Sequence, residues 1–406
     1  MTGSVKTSCC IVGGGPAGMM LAFLLARAGV DVVIMEKHAD FFRDFRGDTI
    51  HPSTLELMYE LGLLAEFLRL PHQKLRFVGA NVGGEPVKVG DFSHLPVQCP
   101  YIAFMPQWDF LNFLAEQGKR YPTFRLMMQT EGTDLIEEGG AVVGVRANGH
   151  EGEIEVRAPL VVACDGRHST MRARAGFAVE NLGAPMDVLW FRIQHKPNDP
   201  EESLGFFGPG SILVTINRGE YWQCAYIIPK GSFEALRARG LGEFRSRIVA
   251  IQPHFGDRLA EIDDWDAVKL LEVRVDRLKR WHKPGLLLIG DAAHAMSPVG
   301  GVGVNLAIQD AVAAANALAA PLRSGGVGED VLGQIQRRRE FPTMVTQRLQ
   351  LEVQKRVIGQ VLATHGPVKP PAILKLFNAV PLLRRIPGRL IGMGIRPEHV
   401  HTPAAV

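Results

Sequence analysis

Residues 8–36 read SCCIVGGGPAGMMLAFLLARAGVDVVIME. A short run rich in Cys, Ile and Val reaches Val12, glycines follow, apolar residues at helical spacing run to Gly29, and a second apolar run closes on Glu36. That order spells strand, tight turn, helix, strand: the βαβ unit of a doubly wound α/β fold. Gly13-x-Gly15-x-x-Gly18 has dinucleotide-binding spacing. Gly13 permits the turn, Gly15 with Pro16 and Ala17 lets backbone approach a pyrophosphate, and Gly18 lets helix pack on strand. Glu36, followed by Lys37, ends the second strand where a carboxylate accepts both hydroxyls of an adenosine ribose. It would repel a 2′-phosphate, which leaves NAD and FAD as occupants.

A second glycine element, GDAAHAMSPVGGVGVNLAIQD at 290–310, follows the apolar run GLLLI and leads into an alanine-rich helix. Gly290 and Asp291 end a strand and offer a carboxylate to ribityl hydroxyls. The helix opening at Gly301, Val302, Gly303, Val304 and Asn305 offers N–H groups to the edge of a flavin, where negative charge gathers on reduction. FAD extends a ribityl chain and a ring well beyond its pyrophosphate, so two such loops suit FAD better than NAD.

The chain has 406 residues, enough for about two domains. Its 45 Lys and Arg against 42 Asp and Glu leave a balance of +3, too small and scattered for a nucleic-acid partner. Five cysteines without CxxC spacing read as reduced, buried thiols of a cytoplasmic protein. The histidines show no HxxxH or HExxH pattern, so no metal site is expected. Glycines 13–15 interrupt any signal-peptide core, and no apolar run is long enough to span a bilayer. The stretch ILKLFNAVPLLRRIPGRLIGMGIRP, 373–397, reads as a helical cap on the main domain, with weak membrane-surface contact as the other reading.

Between these landmarks, PSTLELMYELGLLAEFL (52–68) reads as one helix with Pro52 in its first turn and a Ser53-x-x-Glu56 capping box. Alternation dominates from 179 to 275, and the runs flanking Asn217-Arg218-Gly219 read as a β-hairpin. The expected architecture is a Rossmann-like FAD-binding domain of the glutathione reductase type over 1–74, 101–178 and 276–345. An inserted antiparallel sheet over 75–100 and 179–275 forms the substrate domain, and 346–406 form a C-terminal helical segment.

With these motifs in their order, the sequence resembles the class A flavoprotein monooxygenases, the family of p-hydroxybenzoate hydroxylase. The middle motif, Cys164-Asp165-Gly166-Arg167-His168-Ser169-Thr170-Met171-Arg172, is the most diagnostic. The resemblance implies that Asp165 and Gly166 serve FAD and nicotinamide. It implies that Arg46 and Gln107 contact the diphosphate and ribityl region, and that Asp134 and Leu135 meet adenine through backbone. It further implies reduction of FAD by NADH or NADPH, dioxygen addition to give a flavin C4a-hydroperoxide, and hydroxylation of an aromatic or related hydrophobic small molecule; the sequence itself leaves monomer and homodimer both open. Pro298 and His294 would lie near the ring, His294 more as a structural hydrogen-bonding residue than as a base. Two departures stand out. Val302 occupies the place of a glutamine in many relatives, and the tyrosine and arginine set that grips p-hydroxybenzoate is missing.

Trp190, Arg192, Phe206, Phe207, Gln223 and Tyr226 lie in or near the strands of the inserted sheet and are the candidate substrate contacts. Three other functions are compatible with parts of this pattern. A halogenase of the same fold carries Trp-x-Trp-x-Ile-Pro where this chain has Cys224 to Pro229 without either tryptophan. An isoprenoid ene reductase would not incorporate oxygen, and a flavin-loaded redox sensor would show no ligand-stimulated NAD(P)H oxidation.

Overall fold

The computed structural model describes residues 3–42, 49–200 and 204–405. Its centre is a six-stranded sheet in the order His282–Lys283, Leu286–Leu288, Leu160–Ala163, Cys9–Val12, Val32–Met35, Phe124–Met127. All neighbours run parallel except the first pair. Four of these strands, CCIV, VVIM, LVVA and LLL, are buried along their whole length, as a sheet covered on both faces requires. Consecutive residues serve opposite layers. Cys9 and Ile11 pack with the helices Pro16–Arg27, Gln107–Gly118 and Val302–Arg323, while Cys10 and Val12 pack against Val142, Val145 and Val156 of a four-stranded sheet on the other face. By length and composition Val299–Arg323 would span a bilayer, but 72% of its apolar window is buried in this core.

The segment 52–68 is not one helix. Pro52–Glu60 ends where Gly62 turns to φ +72°, and Leu64–Phe67 makes a separate turn. The cap position is His51, without a side-chain cap bond, so the Ser53–Glu56 box does not form, and Glu56 instead accepts Gln98 N–H at 3.1 Å. A glycine in the left-handed region is a strong helix stop, and here it overrides the periodicity that continued past it.

A second, seven-stranded sheet roofs the first. Its order is Lys269–Leu271, Met186–Gln194, Tyr221–Pro229, Ser211–Asn217, Leu204–Gly208, Phe77–Val82, Glu85–Asp91. Two distant segments thus join in one sheet, through a parallel pairing of 204–208 with 77–82. Asn217 pairs with Trp222 at the hairpin tip, where Gly219 has φ +82°. On one face Phe191, Leu213 and Tyr226 pack on Phe244 and Ile248 of the helix Leu241–Ile251. The other face carries Val188, Trp190, Ile212, Ala225 and Ile227 and looks toward the nucleotide layers.

The chain finishes with the long helix Glu329–Val353, a π-helical turn at Gln354–Ile358, and short helices laid along the edge strand Glu85–Asp91. Asn378 serves that edge as a surrogate strand, accepting Lys88 N–H and donating to the Pro86 carbonyl, both at 3.1 Å.

His51, just before the helix Pro52–Glu60, ties it to the C-terminal helix Arg385–Gly392, with Nδ1 2.7 Å from the Ile391 carbonyl. Burial pushes its pKa down to about 4, against the pull of that carbonyl, from an ordinary value of 6.5. Above 6.5 the ring is neutral folded or unfolded. As pH falls toward 4 the unfolded chain takes up a proton that the folded one refuses, so stability drops by about 3 kcal/mol. His51→Gln should flatten that loss, read as urea midpoints at neutral pH and near pH 4.5.

Candidate active site

One cavity of about 2100 Å³ runs from the glycine loops to the apolar face of the roof sheet. At its nucleotide end, close approach dictates the residues. Gly13 has φ +106°, and a Cβ there would come within 2.5 Å of the Cys164 carbonyl oxygen. A Cβ on Gly18 would come within 2.0 Å of the Gly13 carbonyl, so strand and helix touch only because both positions lack one. A Cβ on Gly15 would meet nothing within 4 Å. Its bare backbone borders the cavity at the start of Pro16–Arg27, whose first N–H groups have no side-chain cap. The Glu36 carboxylate is held at the wall by Gly14 N–H at 3.0 Å and His38 N–H at 3.1 Å. Lys37 also lines the wall, 3.9 Å from Glu131.

The middle motif folds on itself. Ser169 Oγ donates to Asp165 at 2.5 Å and accepts Arg172 N–H, while Asp165 also accepts Met171 N–H at 3.0 Å. Burial raises the Asp165 carboxyl pKa against the opposing pull of those donors. Arg172 donates to the carbonyls of Arg167 and Ala292, strapping this motif to the third. Arg167 in turn lies 3.4 Å from Asp291, and Asp165, Gly166, Arg167 and Asp291 all border the cavity.

At the third motif, Gly290 (φ +60°) donates its N–H to buried Asp310, which also takes His294 Nε2 at 2.6 Å and Arg339 Nε at 2.9 Å. His294 is therefore a buried strut against Trp281 and does not line the cavity, contrary to a flavin-proximal place. Pro298 does line it. Its loop is clamped from behind by Gln350, which accepts Ser297 N–H and donates to the carbonyls of Ser297 and Val299, with Gln354 bonded to the Ser297 hydroxyl. Gln347, Gln350 and Gln354 recur on one face of the helix, a polar stripe at helical spacing that sequence reading passed over.

The helix Val302–Arg323 starts from Gly301 in the left-handed region, again without a side-chain cap, and Gly301, Gly303 and Val304 border the cavity. Val302 does not. The Asn305 side chain turns away, accepting His51 N–H and Thr54 Oγ and donating to the Thr49 carbonyl, so it braces the neighbouring chain. Gln107 borders the cavity, and Arg46 lies outside the described residues. The expectation for Asp134 and Leu135 shifts along the strand. Leu135 is buried in the core, Asp134 pairs loosely with Arg174, and Thr130, Glu131 and Gly132 form the wall instead.

Two uncapped helix N-termini opening into one cavity, the first with bare Gly15 at its cap, fit a pyrophosphate at one end and an anionic ring edge at the other. A family model described as an FAD binding domain matches residues 6–348. The chain is 33% identical over 386 residues to the 6-methylpretetramide 4-monooxygenase of Streptomyces rimosus, spanning 95% of this chain and 92% of that one. The chain belongs to the FAD-binding monooxygenases. It is a flavoprotein monooxygenase with FAD as cofactor. Two solved structures share its fold. P. aeruginosa PqsL in complex with 2-aminobenzoylacetate superposes with a TM-score of 0.74 at 24% identity, over 88% of this chain and 100% of that one. The OxyS anhydrotetracycline hydroxylase from Streptomyces rimosus gives 0.74 at 23%, over 96% and 76%.

On the substrate side of this monooxygenase, Trp190 and Phe207 line the cavity. Phe206 and Tyr226 face the opposite layer, where the Tyr226 hydroxyl meets Ser211 at 3.0 Å and its ring meets Phe244 edge-on. Arg192 stacks over Tyr221, and buried Gln223 accepts from Arg218 Nε, both beyond the cavity wall. Alternation placed these residues in strands, but only pairing shows that Phe206 and Tyr226 have the wrong parity, whereas Arg192 and Gln223 share the parity of Trp190 and Ala225 and lie farther along the strands than the cavity reaches.

Proposed function

We propose that this enzyme uses NADH or NADPH and dioxygen to hydroxylate an uncharged, polycyclic aromatic molecule held beneath the roof sheet. The observation that carries this reading is the single cavity of about 2100 Å³, continuous from the glycine loops to the apolar sheet face. A drug-sized ligand occupies roughly 300–1,000 Å³, so there is space for a dinucleotide cofactor and a large substrate together. FAD, when bound, supplies the redox chemistry: it accepts an electron pair from the nicotinamide and activates dioxygen.

The protein's own share is binding, orientation and exclusion of water. Gly15 and Ala17 would hold the pyrophosphate, Glu36 the adenosine ribose and Asp291 the ribityl chain. The uncapped N–H groups at the start of Val302–Arg323 would steady negative charge at the ring edge. Val188, Trp190, Val214 and Ile227 dry the reacting face, with Trp190 as a flat surface for an aromatic plane. The roof-sheet side chains that face the cavity, Val188, Ile212, Val214 and Ile227 among them, are apolar, and the Thr215 hydroxyl donates to the Leu204 carbonyl, which favours recognition by area and shape over pairing with a carboxylate. The 6-methylpretetramide named for the Streptomyces rimosus relative suits such a site. Partial burial, then Arg274, Arg167 and Arg172, push the His168 pKa down, so at neutral pH these arginines carry the charge toward which a nicotinamide nucleotide's pyrophosphate would be drawn.

The test is a panel of phenols, aromatic acids, quinones and polyketide-like aromatics, scored for stimulated NADH and NADPH oxidation. Polycyclic compounds should stimulate most. Trp190→Ala should raise their KM about 10-fold or more, the worth of a buried aromatic face. Stimulation by small aromatic acids alone would overturn this substrate class.

A further inference from the structure

We infer that the mouth of the cavity docks on an anionic lipid bilayer and that the C-terminal helices form the docking surface. This concerns how a hydrophobic substrate arrives, and its test uses no substrate, so it stands or fails separately from the proposed reaction.

Exposed residues that line the cavity come from the end of the helix Glu329–Val353 and from the short helices Ala372–Ala379 and Arg385–Gly392, so the cavity opens to solvent there. Four residues there line the cavity and are also exposed: Leu349 (45%), Val353 (42%), Ile373 (53%) and Leu390 (40%). The apolar lining thus continues outward onto the surface. Beyond the cavity, Leu382 and Ile386 are 65% and 61% exposed. Contiguous exposed leucine and isoleucine around an opening is a surface that water disfavours and a bilayer accepts.

Charge selects the occupant. Residues 353–397 contain eight Lys or Arg and no Asp or Glu, which leaves 37 basic against 42 acidic side chains in the rest of the chain. Lys369, Lys375, Arg385 and Arg389 are exposed beside the apolar patch. Apolar side chains for the acyl boundary with cations for phosphate headgroups are the paired signals that stable interfacial binding needs. The segment is also a fixed platform. Asn378 bonds the edge strand, and a Cβ on Gly388 would come within 2.0 Å of the Asp91 carbonyl, so this helix lies directly on that strand.

The experiment is co-sedimentation of the FAD-loaded enzyme with vesicles of phosphatidylcholine alone or mixed with phosphatidylglycerol. Binding should rise about 10-fold or more with the anionic lipid and fall as salt is added. Leu382→Ser with Ile386→Ser should weaken it about 10-fold or more on anionic vesicles. Arg385→Gln with Arg389→Gln should weaken it about 5-fold per cation at low salt, and on anionic vesicles only. Flavin content and thermal midpoint of these variants should match the parent, which separates a docking defect from misfolding. The inference is overturned if the enzyme stays in the supernatant with both vesicles, if the variants bind as the parent does, or if the parent is a dimer that Leu382→Ser with Ile386→Ser converts to monomers.

Discussion

Gly18→Ala is expected to yield protein that fails to hold its nucleotide loop, whereas Gly15→Ala folds normally and loses flavin. The two glycines lie three residues apart in one motif, and their surroundings differ. At Gly18 the added carbon lies within 2.0 Å of the Gly13 carbonyl, and Gly13 is itself backed against Cys164. Neither backbone can retreat, so the helix Pro16–Arg27 must lift from the strand Cys9–Val12. Overpacking of this kind costs about 1–3 kcal/mol, and a backbone-to-backbone clash belongs at the upper end. Gly15 has φ −74° and ψ −177°, which alanine adopts readily, and open space where its Cβ would stand. Apoprotein stability should therefore hold or rise by about 0.4–1 kcal/mol. The methyl group would occupy the approach of the pyrophosphate, so FAD affinity should fall by about 10- to 100-fold, a loss of roughly 1.4–3 kcal/mol. Thermal unfolding of the apoproteins and fluorescence titration with FAD separate the two effects.

The second large effect is expected at Asp310. This carboxylate is fully buried and serves three donors: Gly290 N–H, His294 and Arg339. Arg339 also reaches Glu398 at 3.1 Å, so one buried network ties the third glycine element to the C-terminal tail. Asp310→Ala leaves a buried guanidinium without one of its carboxylates and a backbone N–H without an acceptor. Removing one partner of such a pair costs about 3–5 kcal/mol. The double variant Asp310→Ala with Arg339→Met should recover part of that loss, because the stranded charge goes with it. Burial raises the Asp310 pKa, but His294 and Arg339 outweigh it and hold the carboxyl below its ordinary value. A carboxyl depressed on folding contributes stability that is full above its unfolded pKa and is lost as pH falls through its folded one. The Asp310-dependent part of the stability should thus be constant near neutral pH and disappear on strong acidification, read from denaturant midpoints of parent and Asp310→Ala across the acid range.

The glycine positions were legible because close backbone approach and positive φ admit almost no other residue, so the sequence records the geometry directly. Gly13, Gly18, Gly290 and Gly301 are of that kind. Strand parity was less legible. Tyr226 and Ile227 are neighbours in one apolar run, yet they face opposite layers, and only the pairing of Ile227 with Val188 and Ile212 shows which side carries the cavity. Asn305 reads as an N-terminal helix residue aimed at a ligand, but its side chain found three partners in residues 49–54, more than 250 positions away. The contacts of Gln350 and Gln354 with the Ser297–Val299 loop, and of Gln347 with the carbonyls of Asp276 and Ala295, were written as spacing alone, because nothing local says which segment a polar stripe will meet. The parallel join of 204–208 with 77–82 leaves no local trace either, since it links two excursions separated by the nucleotide layers.

The most direct measurement is turnover of a polycyclic aromatic by the FAD-loaded enzyme with NADH or NADPH under isotopically labelled dioxygen, followed by mass spectrometry of the product. One labelled oxygen atom per product molecule is the predicted result. A product formed at the expense of NADH or NADPH that carries no label, or that takes its oxygen from water, would contradict hydroxylation in this cavity.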